Sequence, residues 1–221
     1  PQDPLKARKS WFFFQEGYVC LGAGIQCNKE KPVVTTVNQC LLKGDIDIMA
    51  GNQVSKINTG THVLNNTEWV LHDGVGYVFP EPTRVKLSSK TQTGSWYEIN
   101  HQAHTSKETV SRNVFKLWVD HGEKPRNAKY QYMVLPSTTA KKLSNNNYDK
   151  NLKTISNTSK KQAVLNANSG IFQAVFYESG TIQVSHHLRL KCENPGIVML
   201  KIKNDKIIEI SVADPTRKLQ A

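Results

Sequence analysis

The sequence lacks the features that mark membrane proteins, metal sites and common enzyme motifs. No apolar run approaches the roughly 20 residues that a membrane helix needs, and the first residues, PQDPLKARK, contain no signal-peptide core. No G-x-S-x-G elbow, P-loop or H-E-x-x-H motif is present. We therefore predict no membrane span, no metal and no cofactor.

Cysteine is scarce, and its four residues form no C-x-x-C pair, which argues against a zinc ribbon or a thioredoxin-type site. We expect Cys20, Cys27, Cys40 and Cys192 to be free, buried thiols. A single disulfide that joins Cys40 to Cys20 or Cys27 remains an alternative for an oxidising compartment.

Helical periodicity is almost absent, whereas short β-branched and aromatic runs recur along the chain between turn residues. After Pro136 the composition changes, because residues 137–153 hold lysines, asparagines and few apolar residues. We interpret this segment as a short helix and a linker between two domains, residues 1–138 and 139–221. The strand spacing in the second domain is typical of a small β-sandwich.

We expect the rest of the chain to be organised around the stretch from Lys9 to Ile25. The four large residues from Trp11 to Phe14 predict a strand that is buried on both faces. A turn and a returning strand, residues 18–21, complete a hairpin. The small residues 22–24 predict the close approach of another backbone.

Two further segments carry predictions about where strands begin and end. Pro80 and Pro82 should end the strand that begins at Val75, because proline cannot donate a hydrogen bond to a sheet. Residues 96–99 are predicted to form a short strand, and residues 100–112 a long surface loop.

Five segments together resemble a known enzyme family. They read KSWFFFQEGYVCLGAGI, TTVNQCLL, WVLHDGVGYVFPE, VFKLWVDHGEKPRNAKYQYMVLP and SVADPTR. In this order, from about Ala7 to Arg217, they are similar to the β-sheet half of the family-eight polysaccharide lyases. The resemblance implies an all-β fold with a large antiparallel β-sandwich of stacked sheets, followed by a smaller C-terminal β-sandwich. In the family, further strands follow the SVADPTR segment.

The resemblance also implies a function for the whole enzyme. Family members cleave next to a uronic acid by β-elimination, which requires neutralising the carboxylate and moving two protons. The catalytic Asn, His, Tyr and Arg belong to an N-terminal helical toroid, and a supporting Glu to the early β region. All precede the segment that matches Lys9, so we assign no catalytic residue. The implied partners are the toroid and an acidic polysaccharide, chondroitin sulfate or hyaluronan, in a secreted or periplasmic setting.

The net charge agrees with an anionic partner. The sequence has 29 Lys and Arg against 18 Asp and Glu, a formal charge of +11. Without an RNA-binding aromatic signature or a basic recognition helix, we predict no nucleic-acid partner. The alternative is that many lysines only protect exposed strand edges from pairing.

The candidate glycan-binding residues are Trp96 and Tyr97, whose rings can stack on sugar C–H faces, with Arg84 and His101 as hydrogen-bond donors for sulfate or carboxylate. Lys86 and Lys107 lie in neighbouring segments. The alternative for Trp96 is simple core packing. A second basic group comprises three residues: Arg112, Lys124 and Arg126.

Other candidates are weaker. His101 and His104, with Tyr97 and Glu98, offer an acid and a base in one loop, but a solvated loop explains them as well. Four further residues have metal-ligating side chains: Asp45, Asp47, His186 and His187. The aspartates should share a wet strand face, and the histidines should point to opposite faces of a strand, which argues against one metal.

Two functions follow. The first is the β-sheet portion of a lyase that degrades acidic glycosaminoglycans, in which this portion supports the fold and the substrate cleft. The alternative is a stand-alone carbohydrate-binding module with the lyase β-fold.

Overall fold

A computed structural model describes residues 4–145, 148–215 and 217, and this part of the chain is nearly all β-strand. The first sheet contains β1 (Lys6–Phe14), β2 (Gly17–Gln26), β3 (Pro32–Leu41), β4 (Ile46–Ala50), β5 (Gln53–Lys56), β6 (Gly60–His72), β7 (Val75–Gly94), β8 (Val110–Glu123) and β9 (Ala128–Leu135). The remaining strands are β10 (Leu152–Asn157), β11 (Lys161–Asn166), β12 (Ile171–Phe176), β13 (Gly180–Gln183), β14 (Arg189–Cys192), β15 (Gly196–Lys203) and β16 (Lys206–Ala213). The helices are α1 (Trp96–Ile99), α2 (Ala140–Asn145) and α3 (Tyr148–Asn151).

The long strand β7 makes the first sheet branch into two layers. Its first part pairs with β9, with Tyr77 opposite Val134, and continues the order β1-β2-β9-β7-β6-β4-β5. Its second part pairs with β8, with Leu87 opposite Leu117, and β8 pairs in turn with β3. We call the first layer the central layer and the β7–β8–β3 part the outer layer.

The side chains between these two layers form the largest core. Cys20 and Tyr132 from the central layer pack in one cluster with Leu87, Phe115 and Leu117 from the outer layer. All five are buried. Burying side chains of this size stabilises the fold by roughly 1.5–3 kcal/mol each, so this core holds the two layers together.

The opposite face of the central layer packs against the second domain. Phe12, Leu21 and Met133 form a buried cluster with Leu152 and Val164. The second domain is a five-stranded sheet, β10-β11-β12-β15-β16, whose other face is covered by the two-stranded sheet β13–β14. The molecule is therefore a stack of antiparallel layers, which confirms the predicted fold class.

The prediction for Trp11 to Phe14 is wrong in one respect. β1 is an edge strand, paired only with β2, and its side chains alternate: Phe12 is 2% exposed, whereas Trp11 is 53% and Phe13 65% exposed. The strand that is buried on both faces is β2, whose Val19 and Cys20 belong to different cores. A sequence run does not show which strand of a hairpin lies at the sheet edge.

Two predictions about strand limits are also wrong. β7 continues through Pro80 and Pro82, because the register against β6 shifts between the pairs Trp69–Val78 and Thr67–Thr83. The prolines lie in this irregularity, where a missing N–H is tolerated. Residues 96–99 form the one-turn helix α1 rather than a strand.

The segment between the two sheets contains two short helices, α2 and α3, where the sequence predicted one helix and a linker. The first sheet ends at Leu135 and the second begins at Leu152. The division at residue 138 stays a prediction. All four cysteines are free, but the prediction that they are buried is right only for Cys20, since the other three are partly exposed.

Candidate functional site

The end of the β7–β8 hairpin holds most of the sequence-predicted site residues. The two strands pair without interruption from Lys86 opposite Trp118 to Gly94 opposite Val110. The connection between them contains α1 and a loop. Because the base of this hairpin is part of the main core, its end projects from a fixed support.

Hydrogen bonds hold α1 in place. The Glu98 carboxylate accepts a hydrogen bond from the Ser95 backbone N–H at 3.3 Å, which satisfies a donor at the helix start. The Tyr97 N–H donates to the Ser106 carbonyl at 3.0 Å and ties the helix to the loop. The Asn100 N–H donates to the Trp96 carbonyl at 2.9 Å. Glu98 is therefore engaged in the cap.

Trp96 is 62% exposed and Ile99 78% exposed, so the alternative that Trp96 packs in the core is wrong. Both line a shallow groove of about 380 Å³ together with Val110, Val114 and Arg112. An exposed indole beside a guanidinium presents an apolar platform and a bidentate donor for a carboxylate or sulfate.

Tyr97 lies next to two nitrogen-bearing side chains on the same connection. Its ring centroid is 5.0 Å from that of His101 in an edge-on arrangement, and Lys107 Nζ lies 4.6 Å from the Tyr97 ring centroid. We call Trp96, Tyr97, Ile99, His101, Lys107 and Arg112 the tip surface. Trp96, Ile99 and Arg112 line the groove, and Tyr97, His101 and Lys107 form the neighbouring group on the same connection.

Arg84 and Lys86 do not belong to the tip surface. At about 3.3 Å per strand residue, Arg84 lies about 35 Å from the hairpin end along β7. Lys86 Nζ is 2.6 Å from the Asp120 carboxylate. This bond and the Gly122 N–H lower the pKa of Asp120, so Lys86 is committed to an internal ion pair.

The second basic group is also divided by the structure. Arg112 lines the tip groove, whereas Lys124 and Arg126 lie at the other end of β8, beside Cys27. Lys124 Nζ is 2.5 Å from the Glu30 carboxylate. The sequence did not indicate that Ile99 and Arg112 line the same groove as Trp96. Residues 100–112 were predicted to form a loop, whereas β8 already begins at Val110 and pairs there with β7.

The weaker catalytic candidates do not form an acid–base arrangement. Within residues 4–145, 148–215 and 217, no hydrogen bond joins His101 or His104 to Glu98. His72 is buried and lies at the end of β6, where its Nε2 accepts a hydrogen bond from the Lys43 N–H at 3.1 Å. His121 Nε2 lies 2.8 Å from Thr35 Oγ1, within the outer layer.

The aspartate and histidine metal candidates lie in different domains. Asp45 precedes β4 and pairs with Lys56. His186 and His187 lie in the loop after β13, not on a strand, with ring centroids 4.5 Å apart. In the described part of the chain, no three His, Cys, Asp or Glu side chains come together as a metal would require. None of the helices described there has the length and apolar character of a membrane-crossing segment.

Comparison with known proteins gives two family matches that together span nearly the whole chain. Residues 2–147 match the super-sandwich domain of polysaccharide lyase family 8. Residues 153–221 match the C-terminal β-sandwich domain of the same family. The junction between the two matches falls between the two sheets of the structure.

Individual relatives agree with the family matches. Chondroitinase-AC of Pedobacter heparinus is 38% identical over 98% of this chain, and hyaluronate lyase of Thermasporomyces composti is 32% identical over 97%. A solved structure of chondroitinase AC lyase superposes with a TM-score of 0.89 at 37% identity, over 99% of this chain and 32% of that one. The Paenibacillus xanthan lyase structure gives 0.86 at 27% identity, over 96% and 21%. The chain spans 30% and 27% of the lengths of the first two relatives.

Proposed function

Because this chain belongs to polysaccharide lyase family 8, we propose that it is the β-sheet portion of an enzyme that degrades chondroitin or hyaluronan by β-elimination. Its task in that enzyme is to support the fold and the substrate cleft. The catalytic groups belong to an N-terminal helical toroid, which is the proposed protein partner. A secreted or periplasmic location is part of the same proposal.

The observation that carries this function is the tip surface. Trp96 is 62% exposed on a helix whose position is fixed by hydrogen bonds to Ser95 and Ser106. A sugar ring that stacks on the indole places its carboxylate or sulfate near Arg112, which lines the same groove, and charge-assisted hydrogen bonds are the strong ones. Because the hairpin base is packed in the core, little conformational freedom is lost on binding.

The exposed apolar edges of the two domains favour an enzyme portion over a stand-alone binding module. Trp11 and Phe13 on β1 are more than half exposed, and so are Ile208, Ile210 and Val212 on β16. Large exposed apolar patches mark contact surfaces. In the second candidate function, the carbohydrate-binding module, these edges would face water in the working protein.

The first experiment measures binding and turnover by the purified chain. We expect hyaluronan and chondroitin sulfate oligosaccharides to quench tryptophan fluorescence in a salt-sensitive way. We expect no growth of unsaturated-uronate absorbance. Appreciable turnover would place catalytic groups inside this chain and contradict the proposed division of labour.

The second experiment locates the binding. Trp96→Ala should weaken binding about tenfold or more, since stacking and the adjoining charge contacts are lost together. Trp11→Ala is the matched control, because Trp11 is a similarly exposed tryptophan on β1. Equal affinities for Trp96→Ala and Trp11→Ala would show that the tip surface does not bind the glycan.

A further inference from the structure

A groove of about 710 Å³ lies between the two domains, well away from the tip surface. Along β7, Thr83 at the groove and Gly94 at the hairpin end are about 35 Å apart, at roughly 3.3 Å per residue. The walls come from both domains, with Pro80, Glu81, Thr83, Val119, Lys129, Tyr130 and Gln131 on one side and residues 152–157 on the other. Its volume falls in the range of small-ligand sites, about 300–1,000 Å³.

The groove exists because two irregular strands meet there. Leu152 at the start of β10 packs against the central layer, but the register of β10 shifts between Thr154 and Ser156. On the facing side, Pro80 lies within the irregular part of β7. Both strands therefore leave their regular path, and a gap remains beside the buried interface.

The groove walls offer hydrogen-bond donors that are not used by the protein. In the described part of the chain, Lys129 and Lys153 form no ion pair and the Gln131 side chain has no hydrogen bond. Asn157, by contrast, is engaged, since it donates to the Tyr130 carbonyl at 2.9 Å.

The mixture of groups indicates the class of ligand. The lining residues include two lysines, Lys129 and Lys153, and one carboxylate residue, Glu81, so their formal charges sum to a net positive charge. Pro80, Leu152 and Ile155 supply apolar surface beside them. A uronic-acid sugar has the matching combination of a carboxylate, hydroxyls and apolar C–H faces.

We propose that the groove between the domains is a second binding site for a uronate-containing oligosaccharide, held by Lys129, Gln131 and Lys153. This inference rests on the proposed function for the class of ligand. The groove and the tip surface lie at different positions, so an experiment can contradict one binding proposal and leave the other in place.

The test is a titration of the isotope-labelled chain with a hyaluronan hexasaccharide, followed by NMR shifts of backbone amides at the groove and at the tip. We expect shifts at Gln131 and Ser156. The double variant Lys129→Ala with Lys153→Ala should weaken groove binding about tenfold and leave the tip shifts unchanged. Lys31→Ala with Lys206→Ala, two exposed lysines outside the groove, is the matched control.

The outcomes separate the two sites and the two proposals. Shifts at the tip without shifts at the groove would overturn this inference and leave the tip surface in place. Shifts at the groove that persist in Trp96→Ala would support it independently. Equal shifts with a neutral hexasaccharide, or equal affinities for the two double lysine variants, would overturn the role of the lysines.

Discussion

Ser10 Oγ donates a hydrogen bond of 2.7 Å to Gln162 Oε1, across the boundary between the two domains. The Tyr177 hydroxyl lies 2.7 Å from Ser10 Oγ and 2.9 Å from Gln162 Oε1. We call these three residues the interdomain clasp. Ser10 and Gln162 are buried, so the clasp fixes the register of the domains beside the apolar cluster around Phe12.

Gln162→Ala should lower the free energy of unfolding by about 1–3 kcal/mol, because it removes a fully buried acceptor that serves the buried Ser10 hydroxyl and the partly buried Tyr177 hydroxyl. Urea unfolding followed by fluorescence measures the change. Gln39→Ala, at an exposed glutamine on β3, should stay within about 0.5 kcal/mol of the wild type. If both variants unfold at the same urea concentration, the clasp adds nothing to stability.

Phe12 and Phe13 are adjacent but face opposite sides of β1. Phe12→Ala should lower the free energy of unfolding by about 3–5 kcal/mol, because it opens a cavity in the cluster that joins the domains. Phe13→Ala should cost much less, about 1 kcal/mol, since Phe13 is 65% exposed and loses mainly its contact with Tyr18. Thermal and urea unfolding measure both. Similar losses would show that β1 is buried on both faces after all.

Gly22 on β2 lies against the Tyr130 ring of β9. A Cβ built at Gly22 would be 2.0 Å from Tyr130 Cε1, which no ordinary contact allows. Gly22→Ala should therefore lower the free energy of unfolding of the protein by about 1–3 kcal/mol or more, because the added methyl group overpacks this contact. Gly180→Ala is the control, because its nearest neighbour would be at 3.9 Å. A Gly22→Ala protein as stable as Gly180→Ala would mean that Tyr130 moves without cost.

His72 makes stability depend on pH. Burial lowers its pKa, an effect that Lys43 reinforces and Asp73 opposes, and its ring stacks on Phe115 at 4.3 Å. The folded state therefore binds a proton less readily than the unfolded state, whose histidines titrate near about pH 6.5. The neutral His72 side chain therefore stabilises the folded state above that pH, and this stabilisation is lost as the pH falls toward the lower pKa of His72 in the folded state.

His72→Gln should flatten the decline in the urea midpoint between neutral and mildly acidic pH. Some slope should persist, because burial also lowers the pKa of His121. His104→Gln, in the exposed loop, should keep the wild-type slope. If the slope is unchanged in His72→Gln, another group controls the acid sensitivity.

The exposure of Trp96 shows why the candidate site was only partly predictable. The sequence identified Trp96, Tyr97 and His101 as neighbours, because they lie within six residues of each other. Arg84 is only 12 positions from Trp96 in sequence, but an extended strand carries it about 35 Å away. Arg112 is more distant in sequence, yet the antiparallel register brings it to the tip groove.

The sequence by itself determined the fold class, the family and the turns between most strands. The fold class and the turns depend on local patterns of apolar, β-branched and turn residues, and the family assignment depends on five segments of the sequence. Only the tertiary structure decided that β1 lies at an edge, that β2 is buried on both faces and that Trp96 faces water. The physical reason is that burial depends on which layers stack on a strand, and that stacking is set by residues distant in sequence, such as Phe12 and Val164.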